Sequence, residues 1–536
     1  MTHVPNPARG TRGMAVAPHS LAAQSAIGVL REGGNAVEAM VAAAATIAVV
    51  YPHMNSIGGD GFWLIARPGD EPRGLEACGA AAQAASIEAY RGHGIERIPF
   101  RGGLAANTVA GTVSGWEAAL AWSKDALGGR LPLPRLLDDA IHHARDGIAV
   151  TRSQSACITN KREELTPVSG FAHSYLADGQ APATGSLWKQ PRMAATLEHL
   201  ARVGLDDFYR GDLARSMAAD LMAAGSPVAL SDLKAHQAVW KQPLAMAHSA
   251  GRLYNMPPPT QGLVSLLILG QLDRVFDAAR MTHDDPAFVH ACVEATKQAF
   301  AIRDTLITDP AWMSVDPQAL LAPAALDDMA SRIRFDDVRG WSGGQGPGDT
   351  VWMGVIDRDG VAVSFIQSIY HEFGSGIVLP ESGVNWQNRG CSFSLDPAAL
   401  NPLTPGRKPF HTLNPALARL HDGRTIVYGN MGGDGQPQSQ SAVFSRMVHF
   451  GMNPQAAISA PRWLLGRTWG QESESLKLES RFPPGTIAAL RAAGHEVDVL
   501  ADYDETMGHA GAIVMTADGT FEAGSDPRSD GAALGW

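Results

Sequence analysis

Asp349-Thr350-Val351-Trp352-Met353-Gly354-Val355-Ile356-Asp357-Arg358-Asp359-Gly360-Val361-Ala362-Val363-Ser364-Phe365-Ile366-Gln367 contains two apolar, β-branched runs divided by Asp357–Gly360. That pattern is a hairpin turn between two strands. The run before it, Gly343-Gly344-Gln345-Gly346-Pro347-Gly348, is rich in glycine and proline, so Thr350 stands where a flexible approach meets a strand. A threonine hydroxyl is a weak nucleophile unless a base lies beside it. A free α-amino group on the same residue can be that base, with an ordinary pKa of about 7.7–8.0. This chemistry requires a chain break directly before Thr350. Without such a break Thr350 reads as an ordinary first residue of a strand.

Working outward, a second strand pair flanks Ala517-Asp518-Gly519, and Thr425–Tyr428 is a further strand ending at Gly429, so the last third reads as sheet-rich. The first two thirds read as helical. Ser20–Val50 is predicted as two helices broken at Gly33-Gly34-Asn35, followed by a turn-rich loop and a buried strand, Gly61–Ala66. The stretch from Trp116 to Ala301 is mostly helical in pattern, with Asn255–Thr260 as its strongest break. No internal repeat or low-complexity tract interrupts it.

The chain of 536 residues is 45% hydrophobic and 18% charged, an ordinary globular composition. With 43 Lys and Arg against 54 Asp and Glu its formal charge is −11 and it has no basic stripe, which argues against a nucleic-acid partner. A small anionic substrate remains compatible, because one local arginine can bind it whatever the global sign. The longest apolar run, Ala39–Tyr51, is shorter than the roughly 20 residues a membrane span requires, so it is read as a buried helix. The four cysteines, Cys78, Cys157, Cys292 and Cys391, are far apart and without C-x-x-C spacing, and Met1–Pro7 lacks the pattern of a secretory signal. A reducing, cytoplasmic setting is expected.

Three further motifs carry less chemistry. Gly340-Trp341-Ser342-Gly343-Gly344 matches G-x-S-x-G formally but lacks the strand and helix that flank a nucleophile elbow. Gly-Gly-Asp-Gly occurs at 58–61 and again at 432–435, and neither copy fits a phosphate-binding loop. The 18 histidines show no convincing metal spacing, so neither a metal nor a cofactor is expected.

Gly13-Met14-Ala15-Val16, Gly33–Ala39, Ile57–Phe62, Phe373–Val378 and Ser525–Ala533 together resemble the gamma-glutamyltransferase family of N-terminal-nucleophile hydrolases over nearly the whole chain. The resemblance implies an α+β fold, a four-layered αββα sandwich formed jointly by two chains after autoprocessing. It implies a large chain, 1–349, and a small chain, 350–536, that together make one interwoven domain. It places Thr350 as the catalytic nucleophile, Gly432 and Gly433 as the paired oxyanion glycines, and Ser368 as a hydroxyl that holds the nucleophile. The partners implied are the two chains of one precursor, with room for a dimer of heterodimers.

At the substrate end this sequence departs from the glutathione-cleaving members. Cys78 stands where they have the arginine that grips an α-carboxylate. Tyr370 and Ser392 replace an asparagine and an aspartate, His411-Thr412 replaces two serines, and Arg389 takes the place of a glutamine. With His371 these residues form the expected substrate pocket. Losing the partners of a charged substrate end costs several kcal/mol. The pattern around Thr350, Tyr370–Phe373, Pro409–Pro415 and Gly432–Gln438 is similar to the branch that hydrolyses oxamate to oxalate and ammonia in purine ureide breakdown. That implies a small acidic amide as substrate and Arg389 as its carboxylate anchor. The alternatives are a γ-glutamyl hydrolase or transferase and a β-lactam side-chain acylase; a non-catalytic protein of the same fold is the contrasting class.

Overall fold

The computed structural model describes residues 6–341, 349–466 and 473–536. The glycine-rich approach 343–348, Ser342 of the G-x-S-x-G match and Met1–Pro5 lie outside the described residues, and for Asp349 only the backbone is described.

The helix pair read from the sequence is Ser20–Arg31 and Ala36–Val50. Gly33 turns between them at φ 83°, a conformation open to glycine. Asn35 then starts the second helix through a capping box: its side chain accepts from the N–H of Val37 and Glu38, while the Glu38 carboxylate accepts the Asn35 N–H at 2.9 Å. Every residue of Ala36–Val50 is buried. Its small side chains allow close packing on both the neighbouring helices and the sheet beneath.

Two seven-stranded antiparallel sheets form the centre. One runs in the order Ala532–Gly535, Gly13–Ala17, Asp349–Asp357, Ala362–Tyr370, Asp60–Ala66, Arg73–Ala77, Val239–Lys241. The other runs Ala8–Gly10, Phe521–Ser525, Ala510–Met515, Thr425–Asn430, Ala416–Leu420, Gly251–Asn255, Leu244–His248. Their facing sides share a core that includes Val16, Phe62, Trp352, Leu417, Val427 and Ile513. Outside the first sheet lie Ala36–Val50 and Leu133–Asp146; outside the second lie Gly262–Val275, Pro286–Leu306 and Gly435–Val448. The layers are therefore α, β, β, α.

Each sheet takes strands from both sides of position 350, so the division into a helical two thirds and a sheet-rich third is too simple. Val239–Lys241, Leu244–His248 and Gly251–Asn255 are strands inside the stretch read as mostly helical. They are three to five residues long, too short for alternation to register. The strand that begins at Asp349 is keyed to the opposite sheet by Trp352. A Cβ on Gly429 or Gly511 would lie 2.0 or 2.3 Å from the indole, so those positions leave room only for glycine. No helix among the described residues is long and apolar enough to cross a membrane.

Candidate active site

The hairpin Asp349–Asp357 and Ala362–Tyr370 brings Thr350 beside Ser368, with the register shifting between Asp349 and Val351. Thr350 is fully buried, and its Oγ1 donates to Ser368 Oγ at 3.2 Å. Ser368 Oγ in turn accepts the Tyr370 N–H at 2.9 Å. Gln436 Nε2 approaches Thr350 Oγ1 from the other side at 3.5 Å. The hydroxyl of Thr350 is thus approached from two directions.

Gly432 and Gly433 have φ values of 119° and 52°. They form the turn that leads through Asp434 into the helix Gly435–Val448. Among the described residues neither glycine N–H enters a backbone hydrogen bond. The turn is pinned from beneath. Gln261 Nε2 donates to Gly433 O at 2.8 Å and to Thr412 O at 2.9 Å, and buried Arg303 pairs with Asp434 at 2.9 Å. Gln436 N–H also donates to Gly433 O, at 3.2 Å, which joins the turn to the threonine side of the site.

Arg389 is 1% exposed in the short turn Arg389–Ser392. Its guanidinium lies 3.7 Å over the Tyr370 ring and donates at 3.3 Å to Phe410 O and to Thr412 Oγ1. Among the described residues no carboxylate lies within ion-pair distance of it. Burial lowers its pKa, and the fields of Tyr370 and Asp60 oppose that shift, so it remains a cation. Tyr370 reaches it from a left-handed backbone at φ 82°, rare for an aromatic residue and held by the Ser368 contact and the Arg389 stack.

The contacts close into a ring: Thr350, Ser368, Tyr370, Arg389, Thr412, Gln261, Gly433, Gln436 and back to Thr350. Ser392 joins it through its hydroxyl, which donates to Phe410 O at 3.3 Å. His371 stacks on Phe100 and stands edge-on to Tyr370; burial, then the charges of Arg101 and Arg389, lower its pKa strongly, so its ring is neutral. His411 lies next to Thr412, with its Nε2 3.5 Å from Asp60 Oδ2. Every residue expected from the sequence in the pocket is thereby brought into one neighbourhood. Gln261, Gln436 and Asp60 were not expected there. Asp60 lies in the first Gly-Gly-Asp-Gly motif and Gln436 directly follows the second, but nothing in the spacing marks a side chain that acts by reaching across the fold.

Cys78 does not replace the missing arginine in function. Its thiol is buried, and burial, reinforced by Glu76, raises its pKa far above the ordinary value, so it stays neutral.

Two side-chain trios among the described residues could be considered for a metal ion. In His290, Glu294 and His495 the polar atoms are already engaged: His290 bonds His495 at 2.8 Å and Arg334 O at 2.7 Å, and Glu294 holds Lys297 at 2.7 Å. In His248, Asp273 and His449 the His248 Nδ1 accepts the Ala250 N–H, so a metal on its Nε2 would leave that ring with no proton. Neither arrangement suits an ion.

The sequence and the fold both have known relatives. The family profile described as Gamma-glutamyltranspeptidase matches residues 22–536. An oxamate amidohydrolase proenzyme of Klebsiella pneumoniae is 59% identical over 526 residues, covering 98% of this chain and 99% of that protein. A glutathione hydrolase-like proenzyme of Bacillus subtilis is 40% identical over 529 residues, covering 98% and 99%. Among solved structures, a cephalosporin acylase from Bacillus halodurans superposes with a TM-score of 0.91 at 32% identity, over 100% of this chain and 98% of that one.

Proposed function

We propose, from the premise that the chain belongs to the gamma-glutamyltranspeptidase family, that it is a self-processing amidohydrolase whose substrate is a small acidic amide, oxamate first among them. The observation that carries the substrate class is Arg389: a buried guanidinium stacked on Tyr370, bonded only to neutral oxygens and lacking a carboxylate partner among the described residues. A buried cation without a counter-ion is costly, and a substrate carboxylate would offset that cost.

In this reading the precursor cleaves between Asp349 and Thr350, and residues 1–349 and 350–536 remain together as two chains of one domain. Thr350 Oγ1 attacks the amide carbon, and its new α-amine takes the hydroxyl proton and returns it to the departing ammonia. The N–H groups of Gly432 and Gly433 stabilise the oxyanion, Ser368 orients the hydroxyl, and water then releases the acid. Arg389 binds the carboxylate in a fork, with Thr412, Ser392, Tyr370, His371 and His411 shaping the pocket. Among the described residues the four cysteines form no disulfide, which fits a cytoplasmic setting, and the activity would serve the breakdown of purine ureides.

The deciding assay compares ammonia release from oxamate with cleavage of a γ-glutamyl anilide by the processed protein. Turnover of oxamate is expected. Cleavage of the anilide alone would replace this reading by the glutathione-type activity of the more distant relatives.

A further inference from the structure

The first Gly-Gly-Asp-Gly motif, residues 58–61, has no role in the chemistry above, yet it is built into the site. Asp60 pairs with Ser368 across the sheet. A Cβ on Gly59 would lie 2.1 Å from Ser368 O, and one on Gly58 would lie 2.3 Å from Asn385 O, so the glycines let this loop press against the nucleophile's hairpin. Asp60 Oδ1 is saturated: it accepts the N–H of Gly79 at 3.1 Å, the N–H of Gly111 at 3.0 Å and Gln387 Nε2 at 3.1 Å. Oδ2 is buried with no hydrogen-bond partner, and it faces His411 Nε2 at 3.5 Å. Both ring nitrogens of His411 are likewise buried and unpartnered, and the ring is wedged edge-on against Phe62. A carboxylate oxygen and an imidazole nitrogen, each with no other bond, are set face to face beside the guanidinium that anchors the substrate.

We propose that Asp60 is a positioning residue that sets the tautomer of His411, and thereby whether His411 Nδ1 presents a hydrogen or a lone pair to an anionic substrate. This rests on the reading that the Arg389 pocket receives a carboxylate. With Asp60 protonated, Oδ2–H donates to His411 Nε2, the ring proton sits on Nδ1, and Nδ1–H donates to the substrate oxygen. When one proton is lost to solvent, the Asp60 hydrogen has passed to His411 Nε2 and the Nδ1 hydrogen has left. The ring stays neutral, Asp60 is the anion, and Nδ1 carries a lone pair that opposes the substrate's negative charge.

The surroundings favour the binding form near neutral pH. Burial pushes the Asp60 carboxyl up to about 7 against the hydrogen bonds to its other oxygen and the charge of Arg389. Burial, with Arg389 and Lys408, lowers the His411 pKa strongly, which excludes an imidazolium. The other titratable groups around the pair are Cys78 and Tyr209, both neutral because burial raises their pKa. Of this pair and its neighbours Asp60 is thus the one that changes charge near neutral pH; the α-amine of processed Thr350, ordinarily at about 7.7–8.0, titrates in the same range.

Asp60→Asn tests this, because the carboxamide keeps the Oδ1 acceptor and offers a fixed Nδ2–H donor to His411 Nε2. For wild type, the ratio of kcat/KM on oxamate to kcat/KM on oxamide, the uncharged diamide, in which the titration of the Thr350 amine cancels, is expected to fall by about ten-fold or more between pH 6 and pH 9, the loss of one charge-assisted hydrogen bond. In Asp60→Asn that ratio is expected to stay level across the same range. The same fall of the ratio in Asp60→Asn and wild type overturns the proposal. A merely structural Asp60 would change stability or lower turnover evenly at every pH. Should Asp60→Asn fail to fold or process, 15N-histidine NMR of wild type, with the His411 signals assigned by His411→Gln, gives the answer. The proton is expected to move from Nδ1 to Nε2 as the pH rises through about 7, and a His411 ring fixed in one tautomer from pH 5 to 9 overturns the proposal. That spectrum needs no substrate, so failure of oxamate turnover counts against the functional reading alone.

Discussion

Thr350 Oγ1 and Ser368 Oγ lie 3.2 Å apart across a two-strand hairpin, both buried, and Ser368 accepts in turn from the backbone of Tyr370, the residue that carries the Arg389 stack. Two hydrogen bonds and one ring stack therefore link Thr350, the proposed nucleophile, to Arg389, the proposed substrate anchor.

Processing follows from the position of Thr350. Wild type is expected to give chains of 349 and 187 residues on a denaturing gel, and Thr350→Ala a single uncut chain without activity. Fully active, uncut wild-type protein would remove the N-terminal nucleophile from the mechanism.

Ser368→Ala removes the hydroxyl at 3.2 Å from Thr350. A neutral hydrogen bond is worth about 1 kcal/mol, so kcat is expected to fall about five-fold to ten-fold while KM changes little. A change confined to KM would place Ser368 in substrate binding instead.

Gly432→Ala separates conformation from space. A Cβ there meets nothing nearer than 3.5 Å, but φ is 119°, a region L-residues rarely adopt. The variant is expected to fold, while the turn relaxes and the N–H leaves its place. Loss of one oxyanion donor corresponds to a drop of about 100-fold to 1,000-fold in kcat. Wild-type turnover in a folded Gly432→Ala protein would relocate the oxyanion site.

Arg389→Lys tests the anchor. An ammonium cannot reproduce a fork or the stack on Tyr370, so kcat/KM on oxamate is expected to fall roughly ten- to hundred-fold. Self-cleavage involves no substrate and is expected to persist. Unchanged oxamate kinetics would shift the carboxylate site to other pocket residues.

Acid stability reports on a different cluster. Asp526 is buried, which by itself raises its pKa, yet Arg462 at 2.5 Å and Arg528 at 3.0 Å outweigh burial and hold it down at about 2. A depressed carboxylate stabilises the fold at pH above its unfolded value near 4, and that contribution, about 2 kcal/mol, is lost as pH falls toward 2. Denaturant melts should show this loss in wild type and not in Asp526→Asn. Asp60 has the opposite sign: its raised pKa makes its ionisation destabilising as pH climbs from about 4 through 7.

What the sequence by itself determined is local or patterned. The hairpin at Asp357–Gly360, the helix pair around Gly33–Asn35 and the position of Thr350 before a strand all follow from turn chemistry, capping and alternation within a few residues. The resemblance added the layered fold and the pocket positions, since its motifs run from Gly13 to Ala533. Only the tertiary structure decided which side chains meet. Val239–Lys241 and Leu244–His248 are strands because sheet edges accept them, not because their pattern demands it. Gln261 reaches both Thr412 and Gly433, and Asp60 faces His411 across some 350 residues of chain. No periodicity encodes such pairs, because a buried polar group takes whatever partner the packed layers bring to it, and that is settled only when the whole fold has closed.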